Sequence, residues 1–418
     1  MARVIFINRY FYPDISATSQ ILTDLAFHLA RHGIEVAVVT GRQRYTDGAA
    51  SLTAREVIAG VDIYRIATTG YGRMRLVGRA IDYVSFYISA FWYLLRLLRR
   101  GDIVVAKTDP PLISVIATLA ASVRRTRQIN WLQDLFPEVA SVLAPELLAA
   151  GIARAARRAR DWSLRRAEMN VVLGHLMWDR LAELGVPRDR ILLIPNWTDD
   201  RAVTPIEHRD NPLRAEWDLQ QKFVVAYSGN LGRAHEFRTF MKCAELLSAR
   251  KDIVFLIIGG GAQLQNVRNF AAGFGLRNVI DRPYQPREHL RFSLGVADLH
   301  VVSLKPALEG LIVPSKFYGI AAAARATAFI GDLNGEIARL VQRFDCGRAF
   351  SPKDDEGLAR FIVTLADGRD ECTRLGRNAR TALECEWSQA KAFARWRDVL
   401  ERLQDRPAHV ATSPVKMP

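Results

Sequence analysis

Short, uninterrupted apolar runs recur along this chain, each followed by a polar loop and a segment of helical period. Val4-Ile5-Phe6-Ile7 is the first. Four apolar residues without alternation are the pattern of a parallel strand buried on both faces. A polar loop from Asn8 to Ser19 follows, then Ile21-Leu22, Leu25 and Leu29 at helical spacing, closed by His32-Gly33. Glu35 to Thr40 is the next strand, so the unit is β-α-β. Parallel strands joined by helices build an open sheet whose ligand loops gather at the carboxyl ends of the strands.

The pattern continues through a strand or hairpin from Val57 to Ala67, then strands at Asp102 to Ala106, Gln128 to Leu132, Asn170 to Leu173 and Ile191 to Ile194. It breaks at Pro195-Asn196-Trp197-Thr198-Asp199-Asp200, and the charged stretch 201–222 reads as an interdomain linker. A second series begins at Phe223 to Tyr227. Its later strands are Ile253 to Ile258, Val279-Ile280, Leu299 to Leu304, Ala328 to Ile330 and Arg348 to Phe350. A helix with Trp387, Phe393, Trp396 and Leu400 spans Leu383 to Leu403, and residues 406–418 read as a disordered tail. At 418 residues two domains are expected. The fold predicted is α/β, with two Rossmann-like domains, 1–200 and 223–383, facing a central cleft. The first loop has Ile15-Ser16-Ala17-Thr18-Ser19 where a dinucleotide fold has G-x-G-x-x-G, so nicotinamide or flavin chemistry loses its support.

The net charge of +14 suits an anionic partner: nucleic acid, an acidic membrane face or a phosphorylated substrate. An arginine-rich composition with a solvated surface explains it equally well. Nucleic-acid binding rests on charge alone and is set aside. Four cysteines without C-x-x-C spacing fit buried thiols in a reducing compartment. The N-terminus reads as a strand and not as a signal peptide. No uncharged apolar run reaches the roughly 18 residues of a spanning helix, so a cytoplasmic protein is expected. Tyr83 to Leu95 is uncharged, carries Phe86, Tyr87, Phe91, Trp92 and Tyr93, and ends in Arg96-Leu97-Leu98-Arg99-Arg100. It is either a core helix or a helix lying in a membrane interface. The basic segment Arg154 to Arg160, continued by Arg165-Arg166, favours the second reading, peripheral on an anionic membrane surface.

The chemistry concentrates in Ala307-Leu308-Glu309-Gly310-Leu311-Ile312-Val313-Pro314-Ser315-Lys316, between a strand and a helix start. Lys316 and Ser315, with Gly229, Asn230 and Arg233 of the loop after the fifth-residue end of Phe223 to Tyr227, would suit a diphosphate without an obligatory metal. No D-x-D stands at a strand end to bridge a nucleotide through Mg²⁺. Glu309 is a candidate contact for sugar hydroxyls. Asp134 either orients an acceptor hydroxyl, acts as base, or caps its own turn. Ser16 and Thr18 are candidate hydrogen-bonding groups on the first domain.

With these stretches in family order, the chain resembles the retaining glycosyltransferases of family 4 with the GT-B fold. Within them it is similar to the bacterial exopolysaccharide and O-antigen transferases of the colanic-acid fucosyltransferase and N-acetylfucosaminyltransferase type. The likeness rests on Phe11-Tyr12-Pro13, Gln133-Asp134-Leu135-Phe136-Pro137-Glu138, Ile194-Pro195-Asn196-Trp197, Tyr227-Ser228-Gly229-Asn230-Leu231-Gly232-Arg233, Ile258-Gly259-Gly260-Gly261 and Glu309-Gly310 with Pro314-Ser315-Lys316-Phe317-Tyr318-Gly319. It implies a UDP- or GDP-sugar on the second domain and a lipid-linked saccharide acceptor on the first. It also implies retention of configuration with no metal and no further cofactor, and a last helix, 384–405, crossing back to the first domain. Gly259, Gly260, Arg282, Tyr284 and Gly319 would lie near base and ribose. The chain departs from the broader family at Gly319, where a second glutamate would hold the ribose. It departs also at Asn230 and His235, which replace an Arg and a Lys, and at Ser16-Ala17, which replace a glycine pair. A catalytically silent partner subunit and a sugar-nucleotide epimerase are the competing readings.

Overall fold

The uninterrupted apolar runs become the strands of two sheets in the computed structural model, which describes residues 2–14, 16–44, 52–71, 76–145 and 149–405. The first sheet holds β1 (Val4–Ile7), β2 (Val36–Gly41), β3 (Arg55–Ile58), β4 (Val61–Ile66), β5 (Ile103–Lys107), β6 (Arg127–Trp131), β7 (Met169–Val172) and β8 (Ile191–Leu193). Their order is β3-β4-β2-β1-β5-β6-β7-β8. All neighbours run parallel except the β3–β4 hairpin at the edge. The second sheet holds β9 (Phe223–Asn230), β10 (Ile253–Gly260), β11 (Val279–Arg282), β12 (Leu299–Ser303), β13 (Ala326–Ile330) and β14 (Gly347–Phe350). It is parallel throughout, in the order β11-β10-β9-β12-β13-β14. Burial on both faces explains why the strands show no polar alternation: β1, β2, β5, β12 and β13 are buried at every position.

Helices α1 (Ala17–Arg31), α2 (Leu76–Leu97), α3 (Ile113–Arg124), α4 (Glu138–Leu143), α5 (Ala150–Arg166) and α6 (His175–Glu183) accompany the first sheet. The second series has α7 (Pro212–Glu216), α8 (Arg238–Leu246), α9 (Leu264–Gly273), α10 (Leu290–Gly295), α11 (Lys316–Ala322), α12 (Glu336–Arg343), α13 (Asp355–Asp367) and α14 (Arg369–Ala382), and α15 (Gln389–Asp405) ends the described chain. On one face of the first sheet, Phe86, Ala90, Leu94 and Leu98 pack with α3 onto Ile5, Ile7, Val39 and Val104. On the other, α1 and α15 cover Phe6, Val38, Val105 and Trp131.

Two stretches differ from the sequence reading in detail. Leu383 to Leu403 is not one helix. A π-helical turn, Leu383–Trp387, gives way to extended backbone at Ser388 before α15 begins. The break lets the chain change sheets. Trp387 packs on Phe317 and Tyr318 beside the second sheet, while Trp396 lies 4.7 Å from Trp131 in the first. The charged stretch 201–222 has no strand, yet part of it is folded onto the second sheet. There Leu213, Trp217 and Leu219 join Val224, Val254 and Leu256 in one cluster. Its Arg214 is almost wholly buried, bonded to Asp298 and to the carbonyls of Val296 and Lys222. Charge in the sequence signalled solvent, but a buried carboxylate partner allowed burial. Residues 406–418, expected to form a disordered tail, lie outside the described residues.

The sheets do not stand apart. One apolar cluster runs from Leu132, Leu135, Val172 and Met177 of the first half to Leu304, Leu308, Leu311 and Phe317 of the second. At another edge Arg287 makes two bonds, 2.8 and 2.9 Å, to Asp24 of α1.

Candidate functional site

Each sheet has a point where its strand order reverses, between β1 and β5 in the first and between β9 and β12 in the second. Open α/β sheets bind ligands at the carboxyl ends of the strands flanking such a point. Ser16 and Thr18 follow β1. Gly229 and Asn230 end β9, and Arg233 follows it. Glu309, Ser315 and Lys316 follow β12. Asp134 follows β6, one strand further out, and backbone pairing joins it to the others. Asp134 forms an antiparallel bridge with Ile312, and Leu135 N donates to Leu311 O at 3.0 Å. Two loops far apart in the chain are thereby held side by side.

Lys316 is the first residue of α11, which has only seven residues. The positive charge in this loop therefore comes chiefly from the side chain. Its ammonium lies 3.6 Å from the centre of the Tyr227 ring and donates to the Tyr227 hydroxyl. Gly229 beside it has a φ of +107°, a backbone conformation that favours glycine. Lys316 is half-buried, and desolvation holds its ammonium well below the ordinary lysine range, with no carboxylate among the described residues to oppose it. Charging a partly desolvated amine without counter-charge is costly, and an anion beside it would relieve that cost. His235, which stands where the wider family has a lysine, contributes no charge. Its Nδ1 is 2.6 Å from Ser303 O, and burial, then the nearness of Lys316, push its pKa down to about 3. Arg233 is exposed on the turn before α8, and Asn230 is exposed with its carbonyl accepting from the Tyr227 hydroxyl. Ser228 Oγ, Ser16 Oγ, Gln133 Nε2 and Glu309 Oε1 are buried without partners, as expected of loops shaped for a polar ligand.

Glu309 is turned toward the start of α12. Its Oε2 accepts from Glu336 N at 3.2 Å, leaving Oε1 unpartnered. Burial raises its pKa to about 7. Glu336 in turn reaches across the seam, where its Oε2 accepts from Leu176 N in the first turn of α6 at 3.1 Å. A side chain at Gly174 would strike it, at 2.6 Å from Glu336 Cδ. The raised value has a direct consequence. Neutral Glu309 contributes stability that is complete below about pH 4.5 and is lost as pH rises through about 7. Glu309→Gln is neutral throughout, so its thermal midpoint is expected to fall less over that window than the wild-type midpoint. Parallel curves in a pH series of thermal melts would count against a buried neutral carboxyl.

The base and ribose candidates divide. Gly259 requires glycine twice over. Its φ is +132°, and a Cβ would stand 2.4 Å from Gly229 O. Gly260 lies under the exposed Tyr284 ring, 3.1 Å from a built Cβ. Those three stand together beside the β9 loop. Arg282 does not join them, because its guanidinium lies over the Trp217 ring at 5.6 Å. Gly319 is buried, and a Cβ there would stand 3.2 Å from Leu294 Cδ1. Glycine at this position lets α11 approach α10.

Asp134 is half-buried. Burial, then the Asp109 carboxylate, raise its pKa to about 7 against a hydrogen bond with Thr108. A cavity of about 20 Å³, room for one water, is lined by Thr108, Leu112, Asp134 and Arg160 among others. A larger open depression of about 630 Å³, between α6 and Pro187, lies at the amino end of β8, away from these loops. Three residues given no role from sequence support the site. Tyr227 holds Lys316. Arg160 pins the loop after β6 through Phe136 O and both oxygens of Glu138. Lys107, buried 3.8 Å from the Trp131 ring centre, donates to Thr18 O. Each contact joins residues at least 22 apart, and no local motif marks it. Among the described residues no group of His, Cys, Asp and Glu could hold a metal ion.

Residues 17–197 match the family described as a glycosyl transferase 4-like domain. Over 322 residues the chain is 27% identical to WbjE of Pseudomonas aeruginosa, which is named a glycosyltransferase, spanning 75% of this chain and 78% of that one. Over 344 residues it is 22% identical to WcaI of Escherichia coli (strain K12), named for colanic acid biosynthesis, spanning 79% and 84%. The crystal structure of Anabaena HepE with UDP and glucose superposes with a TM-score of 0.71 at 12% identity, over 96% of this chain and 100% of that one. The fold is that of the GT-B glycosyltransferases.

Proposed function

We propose that this chain, a glycosyltransferase of the GT-B fold, moves a sugar with retention of configuration from UDP- or GDP-sugar to a polyprenyl-diphosphate-linked acceptor. The setting would be exopolysaccharide, capsule or O-antigen synthesis, at the inner face of an anionic membrane. One observation carries the reading: at the strand-order reversal of the second sheet the half-buried Lys316 amine rests on Tyr227 with no carboxylate partner among the described residues. A donor diphosphate would supply the missing negative charge. In this reading Ser315, Gly229 and Asn230 give hydrogen bonds, with Arg233 closing over the phosphates from its exposed turn. Glu309 Oε1 is free to accept from a sugar hydroxyl. Tyr284, over Gly259 and Gly260, supplies a face for the base. Asp134, Ser16 and Thr18 stand on the acceptor side, and Asp134 orients the incoming hydroxyl. Lys316 answers the leaving diphosphate, so no metal is assigned a role. A place in the fucosyltransferase-like branch rests on the Pro314-Ser315-Lys316 stretch, and the likeness to WcaI, named for colanic acid biosynthesis, supports the polysaccharide setting.

Gly319 keeps a second reading in view. No carboxylate stands there to hold a ribose, as would suit a silent subunit bound to a partner enzyme. Calorimetry with UDP and GDP separates the two, and binding of at least one is expected. Transfer from labelled donors to lipid extract, with a chelator present, is expected to continue, and the product's anomeric configuration is expected to match the donor's. Binding of neither nucleotide would sink the transferase reading.

A further inference from the structure

α2 is apolar on two opposite faces, and only one of them is used. Phe86, Ala90, Leu94 and Leu98 lie buried against the first sheet. On the reverse side Ile81, Val84, Ile88 and Trp92 fall within one helical stripe at 44, 53, 56 and 57% exposure. α3 continues the patch with Leu119 at 43% and Val123 at 64%. α2 and α3 contain a single carboxylate between them, Asp82, which is buried and 3.8 Å from Arg9. The patch ends in positive charge. Arg124 Nε donates to Leu98 O at 2.8 Å, which brings the carboxyl ends of the two helices together. Arg96, Arg99, Arg100, Arg124 and Arg125 are all exposed at that end. α5 lies beside α3, tied by the Thr118–Ser163 bond of 2.9 Å, and exposes Arg154 and Arg158.

We infer that this α2–α3 face lies on an anionic lipid surface, with the four-residue stripe of α2 in the acyl boundary and the arginine end on lipid phosphates. The inference rests on the acceptor proposed above being lipid-linked, and it names the surface through which that acceptor arrives. Apolar residues opposite a core-facing stripe, rimmed by arginine and free of acid, are what an interfacial helix requires. Charge disfavours a second copy as the occupant, because two chains of net +14 would be brought together. The orientation also fits. Leu112 and Ile113, at the start of α3, line the same small cavity as Asp134. A bilayer along α2 and α3 would therefore meet the acceptor loops at their amino ends. No described helix is long and apolar enough to cross a membrane, so the contact is peripheral.

The test is sedimentation of the full chain with vesicles of phosphatidylglycerol and phosphatidylcholine, against phosphatidylcholine alone, at low salt. Wild type is expected to bind the anionic vesicles and to bind the neutral ones at least tenfold less. Ile88→Asp with Trp92→Asp is expected to lower anionic binding at least tenfold, and Arg99→Glu with Arg125→Glu to lower it while leaving the residual neutral binding unchanged. Nucleotide-induced thermal shifts are read on every variant and are expected to match wild type, which shows each is folded. Equal vesicle binding by wild type and the double aspartate variant overturns the inference. So does a wild-type dimer that these substitutions dissociate without vesicle binding. Failure of wild type to respond to UDP or GDP would strike the donor reading and leave the vesicle result standing.

Discussion

Lys316→Ala is expected to lower kcat/KM on the order of a hundredfold, the scale seen when one preorganised electrostatic contact to developing charge is removed. In the free protein the ammonium rests on the face of Tyr227 and is bonded to its hydroxyl, where burial disfavours the charged form. A bound diphosphate restores the reason to be charged. Two signatures follow. Donor binding should take up protons at pH values below the ordinary lysine range, seen calorimetrically as a dependence of heat on the buffer's ionisation enthalpy. Lys316→Ala should remove that dependence along with most of the affinity. Tyr227→Phe keeps the ring and loses only the hydroxyl, so it should bind donor with a smaller loss. Wild-type turnover by Lys316→Ala, or heats that ignore the buffer, would remove Lys316 from the diphosphate.

Arg214→Ala is expected to destabilise the protein by about 3–5 kcal/mol, the usual cost of stripping one partner from a buried pair. Asp298 is buried and also accepts from Val224 N at 2.8 Å, so it cannot turn outward without breaking the start of β9. Its other neighbours compensate poorly. Burial pushes His208 down to a pKa of about 4 and keeps it neutral, and Arg369 stands 3.7 Å away and is half exposed. The carbonyls of Val296 and Lys222 would lose their donor too. Urea denaturation reads the loss. An exposed pair such as Arg360 and Glu356 should be nearly silent when cut, because solvent screens it. A change at Arg214 as small as at Arg360 would show that the stretch 201–222 is the simple linker its composition suggested.

The site was legible in proportion to how local its signals are. Pro314-Ser315-Lys316 and Gly259-Gly260 lie at the carboxyl ends of strands with readable periods, so their place in the fold follows from the one-dimensional pattern. Arg282 is equally close to a strand end, yet its side chain turns to Trp217, a partner 65 residues away. Glu309 was a sugar contact by sequence. In the structure one of its oxygens is already taken by Glu336 N, and only the other remains for a ligand. The segment with Tyr83 to Leu95 admitted a core helix or an interfacial one, and α2 presents a face of each kind. Hydrophobicity counts both faces alike, and only burial separates them.

The sequence by itself determined the two parallel sheets, because a strand covered on both faces must be apolar throughout and leaves that mark in four to six consecutive residues. It also determined which loops stand at the strand ends. The tertiary structure decided how the loops are used. It set Asp134 against Ile312, seated Lys316 on Tyr227, buried Arg214 with Asp298 and left one stripe of α2 uncovered. All of these depend on groups far apart in the chain, whose burial and pairing energies have no local period to betray them.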